Sequence, residues 1–350
     1  MPVVWNATVQ RCIGVTLGAT LLLAPTLIPG QQPAAGPTPA RALLVLSKAD
    51  QTLAIVDPTT LAVVARVSVR PDPHEVIAAP DGRMAYVSNY GSGAYHTLTP
   101  VDLVRQEVLP VIDLGALAGP HGLAVAGGKI WFTAEGAKAI GRYDPEAHTV
   151  DRVLATGQER THMLVVSGDG KRVVTSNVNS ATVTVAEART VTPPDSGVPR
   201  VEWLQTAIPV DRGPEGIDVS PDGHDAWVAN ALDGTISVID LDHKRLRATL
   251  AADVHGANRL KFTPDGKLVF VSTLSGPEVT VLRALTGGVV KRVPVGRGAA
   301  GIVIQPDGAR AYVACTPDDS VAVIDVRSLT VVGRIGAGGR PDGLAWAERP

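Results

Sequence analysis

Residues 215–241 have the sequence EGIDVSPDGHDAWVANALDGTISVIDL, in which two turn signals separate three strand signals. Ile217 and Val219 alternate with polar neighbours, and the residues around Ile236 alternate again. Alternation with a period of two is typical of a pleated strand, whose successive side chains point to opposite faces. Pro-Asp-Gly at 221–223 and Asp-Gly at 233–234 favour tight turns. The stretch therefore predicts an antiparallel meander of short strands.

The second strand of this unit recurs along the chain at a regular interval. Its copies are LLVLS (43–47), AYVSN (85–89), IWFTA (130–134), VVTSN (173–177), AWVAN (226–230), VFVST (269–273) and AYVAC (311–315). Successive copies are 42–45 residues apart, except for one spacing of 54 residues. Seven strand-rich copies at this period predict an all-β fold, a seven-bladed β-propeller. An irregular β-sandwich is the alternative.

The repeat resembles that of a known family. AYVSN, AWVAN and AYVAC, with the strands TISVID at 235–240 and SVAVID at 320–325, are similar to the YVTN repeat. The resemblance covers residues 41–350. It implies a seven-bladed propeller of a kind that bacteria often export, and it concerns a structural repeat rather than a catalytic motif.

The two ends of the chain are predicted to complete one blade. Residues 42–69 supply three strands with no inner strand before them, and GLAWAE at 343–348 is an inner-type strand with no strand after it. Pairing them would close the ring and remove exposed sheet edges. The longest repeat contains the Pro-rich segment 187–202, which we expect to be a surface excursion between the third and outer strands. It is either a tolerated insertion or a partner contact.

Residues 1–30 form a separate segment. Arg11 precedes an apolar run at 13–28, which is the pattern of a secretory signal. The run is short for a spanning helix, which needs about 20 apolar residues, and an uncleaved membrane anchor is the alternative. Residues 31–40 predict a spacer, and residues 41–350 the propeller. We therefore expect a periplasmic or extracellular protein, in contact with a membrane only through an uncleaved N-terminal segment.

The composition limits the classes of partner. The chain has 350 residues, a net charge of −2 and only 4% aromatic residues. A nearly neutral chain does not predict nucleic acid as a partner. We expect a monomer that binds a small molecule or a protein on the channel face. After export Cys315 would be the one cysteine left, so an intrachain disulfide is not expected.

The start of each inner strand defines the candidate site. The aligned starts are PHEV (73–76), PHGL (120–123), THML (161–164), PEGI (214–217), ANRL (257–260), AAGI (299–302) and PDGL (341–344). The second residue of each start, called the ring position below, is His74, His121, His162, Glu215, Asn258, Ala300 and Asp342. Imidazoles and carboxylates bind divalent metals. One hypothesis is a ligand site, with a metal held by His74, His121 and His162; the other is a polar channel lining.

Further polar residues are expected on the same face of the ring. Asn89, Tyr90 and Glu135 end second strands, Lys48 follows the first apolar strand, and the loops leading into inner strands carry Arg70, Arg160, Arg212, Arg297 and Arg340. Arginine suits carboxylate or phosphate oxygens, or it pairs with nearby Glu and Asp. The predicted ligand-binding set is His74, His121, His162, Glu215, Asp342, Asn89, Glu135, Arg160 and Arg212.

One blade shows a second resemblance. GPHGLAVAGGKIWFTAEGAKAIGRYDP at 119–145 resembles the repeat of streptogramin-lyase-type propellers. In those enzymes a histidine and metal-held carboxylates open a cyclic ester, which implies His121 and Glu135 as candidates; His162 is the third. We favour a non-catalytic exported binding or scaffold protein. The alternative is a metal-assisted lyase or lactonase that uses His121, Glu135 and His162, with a divalent metal as cofactor.

Overall fold

The computed structural model describes residues 36–195 and 197–350, together with Met1. The predicted secretory segment or anchor and the first part of the predicted spacer lie outside the described residues. Within the part that is described, no helix is long and apolar enough to cross a membrane. The compact unit that contains the strands is Ala35–Pro350.

Seven small antiparallel sheets form the predicted seven-bladed β-propeller. Blade 1 contains β1 (Arg41–Ser47), β2 (Thr52–Val56), β3 (Val63–Ser68) and, as its inner strand, β29 (Pro341–Glu348). Blade 2 contains β4 (Pro73–Ala78), β5 (Met84–Asn89) and β6 (Thr97–Asp102), with two short strands, β7 (Glu107–Val108) and β8 (Ile112–Asp113), along its outer edge. Blade 3 contains β9 (Pro120–Ala126), β10 (Lys129–Ala134), β11 (Ala139–Asp144) and β12 (Thr149–Ala155).

The other four blades have four strands each. Blade 4 contains β13 (Thr161–Val166), β14 (Arg172–Asn177), β15 (Thr182–Val191) and β16 (Arg200–Pro209), and blade 5 contains β17 (Pro214–Val219), β18 (Asp225–Asn230), β19 (Thr235–Asp240) and β20 (Arg245–Ala251). Blade 6 contains β21 (Ala257–Phe262), β22 (Leu268–Thr273), β23 (Glu278–Arg283) and β24 (Val289–Pro294), and blade 7 contains β25 (Ala299–Ile304), β26 (Arg310–Cys315), β27 (Ser320–Asp325) and β28 (Thr330–Ile335). Short 3-10 turns follow three of the second strands, at Gly91–Gly93, Val178–Ser180 and Thr316–Asp318.

Blade 1 is composed of both chain ends, as predicted. β29 pairs antiparallel with β1, with Leu43 opposite Trp346 and Val45 opposite Leu344. The strand is apolar on both faces because a blade lies between two other blades. Leu44 packs on the blade 2 side and Leu43 on the blade 7 side. Since burying one such side chain contributes about 1.5–3 kcal/mol, the blade interfaces supply most of the hydrophobic stabilisation.

The extra residues of the longest repeat lengthen a hairpin, and its two strands are joined by the loop before Arg200. β15 and β16 have ten residues each and pair continuously from Thr182 opposite Pro209 to Val191 opposite Arg200. Segment 187–202 therefore lies between the third and outer strands, as expected, but half of it, 187–191 and 200–202, is paired strand. Backbone ladders tolerate polar side chains on an exposed edge, which is why alternation did not reveal the strands. Trp203 packs against Trp131 of blade 3 with the two rings tilted and their centroids 5.6 Å apart.

The last residues of the predicted spacer contact the propeller. The Gly36 N–H donates to the Val64 carbonyl at 3.1 Å, and Thr38 Oγ1 donates to the Leu103 carbonyl at 2.5 Å. The Arg349 N–H donates to the Ala40 carbonyl at 2.8 Å. Residues 36–40 therefore line the outer part of blades 1 and 2.

Candidate functional site

A β-bulge at the start of each inner strand positions the ring residues. The pairing of the inner strand with the second strand is interrupted between Pro73 and Val76 in blade 2, and between Pro214 and Ile217 in blade 5. The other five blades show the same interruption. Two residues per blade leave the ladder, the ring residue and the one after it. Bulges re-aim side chains in this way, and here they turn them toward the channel.

Hydroxyl groups of the second strands fix the bulges of neighbouring blades. The Ser88 hydroxyl donates to the His121 carbonyl at 3.1 Å, and the Thr133 hydroxyl donates to the His162 carbonyl at 2.5 Å. Ser176 and Ser272 make the equivalent bond to the ring residue of the next blade. Each hydroxyl is buried, so it holds a carbonyl that would otherwise lose its hydrogen bond. Adjacent ring positions are thereby tied together.

The position after the ring residue is crowded. A Cβ at Gly301 would lie 2.1 Å from the Asp342 carbonyl oxygen, and one at Gly343 would lie 2.6 Å from the His74 carbonyl oxygen. Neighbouring inner strands therefore need glycine there in most blades. Glu75 and Arg259 are charged exceptions in blades 2 and 6, and they form a buried ion pair across the channel. Sequence reasoning missed this pair, although two charges at a position usually held by glycine were a usable signal.

Three histidines of consecutive blades pack against one another at the channel mouth, one pair edge to face and the other tilted. The ring centroids of His74 and His121 are 4.3 Å apart, and those of His121 and His162 are 3.9 Å apart. His121 is 1% exposed and His162 is 2% exposed. His121 Nδ1 has no hydrogen-bond partner among the described residues. Burial, and then the neighbouring His162 and His74, lower the pKa of His121 well below its usual value. The neutral imidazole of His121 therefore has a nitrogen lone pair that can bind a metal or accept a hydrogen bond.

His162 lies between two carboxylates. Its Nδ1 is 2.5 Å from Glu135 Oε1, and its Nε2 is 2.6 Å from Glu215 Oε2. Tyr90 donates its hydroxyl to Glu135 Oε2 at 2.5 Å. Arg160 lies 3.6 Å from an oxygen of each carboxylate. Tyr90 orients Glu135, and Arg160 lies beside both carboxylates. Each carboxylate keeps one oxygen in contact with the His162 ring.

The pKa shifts follow from this arrangement. Burial opposes a charge on His162, but Glu215 and Glu135 outweigh it and raise the pKa of His162. Burial alone would raise the pKa of Glu215, but His162 and then Arg160 lower it to about 2. Burial likewise opposes ionisation of Glu135, and His162 lowers its pKa. The two shifts are opposite in direction, so a proton on the cluster is favoured on His162 rather than on His121.

The donor atoms of His121, Glu135 and His162 lie within 4.8 Å of one another, and all three residues are buried. These are the three candidate catalytic residues from the sequence. Two imidazoles and a carboxylate fit a divalent metal. His74 differs, because its Nδ1 contacts the ammonium of Lys48. An ammonium has no lone pair, so Nδ1 must accept, and the ring proton of His74 is on Nε2.

Other predicted site residues lie elsewhere or have other partners. Arg212 is paired with Asp233 at 2.6 Å and is largely exposed. Asn89 is buried, and its amide donates to the carbonyls of Arg70 and Pro71 in the loop that leads into blade 2. Asp342 contacts Lys48 at 3.3 Å and is part of the channel mouth.

Comparisons with known proteins agree on the fold. No protein-family model and no curated protein sequence matches the chain, so the YVTN resemblance stays a prediction. Solved propellers do match. A protein of unknown function from Desulfotomaculum acetoxidans is 16% identical with a TM-score of 0.71, over 88% of this chain and 99% of that chain. A proposed 6-phosphogluconolactonase from Bacteroides uniformis is 18% identical with a TM-score of 0.70, over 88% and 99%.

A further match is hydrazine synthase from Kuenenia stuttgartiensis, which is 20% identical with a TM-score of 0.65, over 86% of this chain and 99% of that chain. At these identities the similarity establishes the architecture. Because one fold hosts many activities, function has to be argued from the channel mouth itself.

Proposed function

We propose that the propeller binds one divalent transition metal through His121, Glu135 and His162, and that the metal holds a small polar ligand at the channel mouth. The observation behind the proposal is the approach of three buried donor atoms within 4.8 Å. Zinc uses two histidines and a glutamate in catalytic sites, where three protein ligands leave one position open. The open position is where a ligand from the channel would bind.

The balance of charge supports a divalent cation. The charged groups of the channel mouth are Lys48, Arg160, Arg259, Asp72, Glu75, Glu135, Glu215 and Asp342. Counted as ionised and with neutral histidines, they comprise three cations and five carboxylates. Since isolated buried charge is costly, the excess of negative charge favours a bound cation of charge two. Without a metal, the proton on His162 supplies part of that charge.

Metal content tests this proposal. Purified full-length protein is dialysed against Zn²⁺ or Co²⁺, and bound metal is measured by mass spectrometry. We expect one metal per chain in the parent and a loss of affinity above about 100-fold in His121→Ala/His162→Ala, since losing outer-shell groups alone costs about 10–100-fold. Asn258→Ala, at the ring position of blade 6, is the matched control and should bind like the parent. A parent affinity weaker than about 1 mM contradicts the proposal.

A second candidate is the opening of a cyclic ester at this metal. It is favoured by the Tyr90 hydroxyl and the Glu215 carboxylate, which contact the Glu135–His162 pair and can hold or move a proton beside it. A bound metal would polarise the ester carbonyl. Arg160, whose side chain is 39% exposed, can orient an anionic oxygen of the ligand. The proposed phosphogluconolactonase of similar fold is consistent with this chemistry.

Lactone assays separate the two candidates. A panel of γ- and δ-lactones is incubated with metal-loaded parent, with His121→Ala/His162→Ala and with Asn258→Ala. Catalysis predicts ring opening by the parent and Asn258→Ala only. Full metal occupancy with no ring opening of any lactone leaves the binding function and rejects the catalytic one.

We also propose that this site operates outside the cytoplasm, because Arg11 and the apolar run at 13–28 have the pattern of a secretory signal. Fractionation of cells expressing the full-length chain should recover the protein in the periplasm, the membrane or the medium. Recovery in the cytoplasm alone contradicts export.

A further inference from the structure

Arg259 has a buried hydrogen-bond donor for which the described residues offer no acceptor. The residue is 4% exposed, and a guanidinium carries five N–H groups. One nitrogen donates to Glu75 Oε1, another donates to the Asn258 carbonyl at 3.0 Å, and Nε has no partner. Because a buried donor without an acceptor is costly, we expect an oxygen of another molecule to lie there.

The guanidinium of Arg259 shares the channel mouth with the histidine cluster. Its partner Glu75 follows His74, whose ring centroid is 4.3 Å from that of His121. On the blade 5 side, a Cβ at Gly216 would lie 2.6 Å from the Arg259 Cα. After burial and the two neighbouring histidines, the charge of Arg259 also lowers the pKa of His121. A ligand held at the cluster therefore lies within the electrostatic field of Arg259.

Every cation of the channel mouth is already compensated by a carboxylate. Each of the three has a carboxylate oxygen at 3.6 Å or closer. The pairs are Lys48 with Asp72 and Asp342, Arg160 with Glu135 and Glu215, and Arg259 with Glu75. A divalent metal brings the sum of these charges to zero, and a proton on His162 in its place leaves the sum negative. In both states an anionic ligand would add a charge that no free cation balances.

We propose that the ligand of the channel mouth is an uncharged carbonyl compound, the class that includes lactones, and that its carbonyl oxygen accepts the Nε–H of Arg259. The inference rests on the proposed function in placing a ligand at this mouth. Glu75 favours a neutral oxygen at Nε, because its carboxylate contacts the same guanidinium and repels a second anion. An anionic oxygen for Arg160 to orient then arises only when a ring is opened.

Calorimetric titration of the full-length protein, with and without Zn²⁺, tests the inference with two probes of similar size. δ-Valerolactam is a neutral cyclic carbonyl compound that resists hydrolysis, and valerate is an anion. The parent should bind the lactam at least about tenfold more tightly than valerate, since one hydrogen bond to a charged group accounts for a factor of that order. A parent that binds valerate as tightly as the lactam, or that binds neither probe, contradicts the inference.

A charge-balanced variant tests the role of Arg259. Glu75→Gln/Arg259→Met removes one cation and one carboxylate, so it should bind the lactam about tenfold more weakly and bind metal like the parent. Asp318→Asn/Arg297→Met removes an exposed ion pair of blade 7 and is the matched control, which should bind the lactam like the parent. Undiminished lactam binding by folded Glu75→Gln/Arg259→Met would show that Nε does not hold the ligand.

Glu75→Gln alone tests the selection against charge. It keeps an oxygen for Arg259 but removes the carboxylate charge, so valerate should bind about tenfold more tightly than it binds to the parent. The affinity for the lactam should not change. An unchanged affinity for valerate would mean that Glu75 does not exclude anions, and the inference would be wrong.

Metal content of the same samples distinguishes this inference from the proposed function. A parent that binds no metal but prefers the lactam retains the inference and rejects the metal site. A parent that binds one metal and prefers valerate retains the metal site and rejects the inference.

Discussion

Blades 1–5 and blades 6–7 present the same bulged strand start to the channel, but the two arcs differ in chemistry. The first, called the polar arc, has Asp342, His74, His121, His162 and Glu215 at its ring positions, whereas the plain arc has Asn258 and Ala300. The backbone interruption is the same in both arcs. The scaffold therefore fixes where a ring side chain points, and residue type alone decides whether a site forms there.

Ring closure is common to both arcs, and removing it should have the largest effect. Truncation after Pro341 deletes the rest of β29 and leaves Leu43 and Leu44 without their paired inner strand. We expect a loss of several kcal/mol in the free energy of unfolding, since several large core side chains lose their cover. Urea denaturation of the truncated and parent proteins measures it. Deleting only Pro350 is the control, and a truncated protein as stable as the parent contradicts the blade assignment.

The Glu75–Arg259 pair joins the polar arc to the plain arc across the channel. Arg259→Met should leave Glu75 buried without its cation and cost about 3–5 kcal/mol. Glu75→Gln/Arg259→Met should be less destabilised than Arg259→Met, because no unpaired charge is left. Urea denaturation of both variants tests this. A double variant that is at least as destabilised as Arg259→Met would show that the charges are not coupled.

Equivalent hydroxyls in the two arcs permit a matched comparison. Ser88 holds the His121 carbonyl and Ser272 holds the Ala300 carbonyl. Ser88→Ala and Ser272→Ala should each lower stability by about 1 kcal/mol through a lost buried hydrogen bond. Metal affinity should fall in Ser88→Ala and be unchanged in Ser272→Ala, as measured by dialysis. Equal metal affinity in both variants would mean that the bulge does not position His121.

Acid should affect the polar arc through Glu215. Its folded pKa of about 2 lies below the ordinary value of 4.5, so the stability it contributes is full above pH 4.5 and is lost as the pH falls toward 2. The parent should therefore lose more stability than Glu215→Gln between pH 5 and pH 2 in urea titrations. Parallel pH profiles of the two proteins would contradict the role of Glu215.

Local patterns were sufficient for the architecture and for the ring positions. The number of blades and the closure of the ring follow from a strand period of two and a repeat of 42–45 residues. Both patterns arise from the backbone arrangement that every blade has in common. The alignment of inner-strand starts predicted His121 and His162, and the end of a second strand predicted Glu135. The structure brings the donor atoms of all three within 4.8 Å of one another. Regular alternation failed for 187–202, because the lengthened hairpin has no buried face to impose it.

The partners of those residues were decided only by tertiary structure. Glu75 and Arg259 are 184 positions apart, and no periodic pattern relates two side chains that meet across a channel. Arg160 and Arg212 precede their inner strands alike, yet Arg160 faces Glu135 and Glu215 while Arg212 pairs with Asp233. Lys48 contacts His74 Nδ1, so the partner of His74 is a lysine rather than one of the two neighbouring histidines. Sequence sets which face a side chain occupies; charge pairing and burial depend on distances that exist only after the ring has closed.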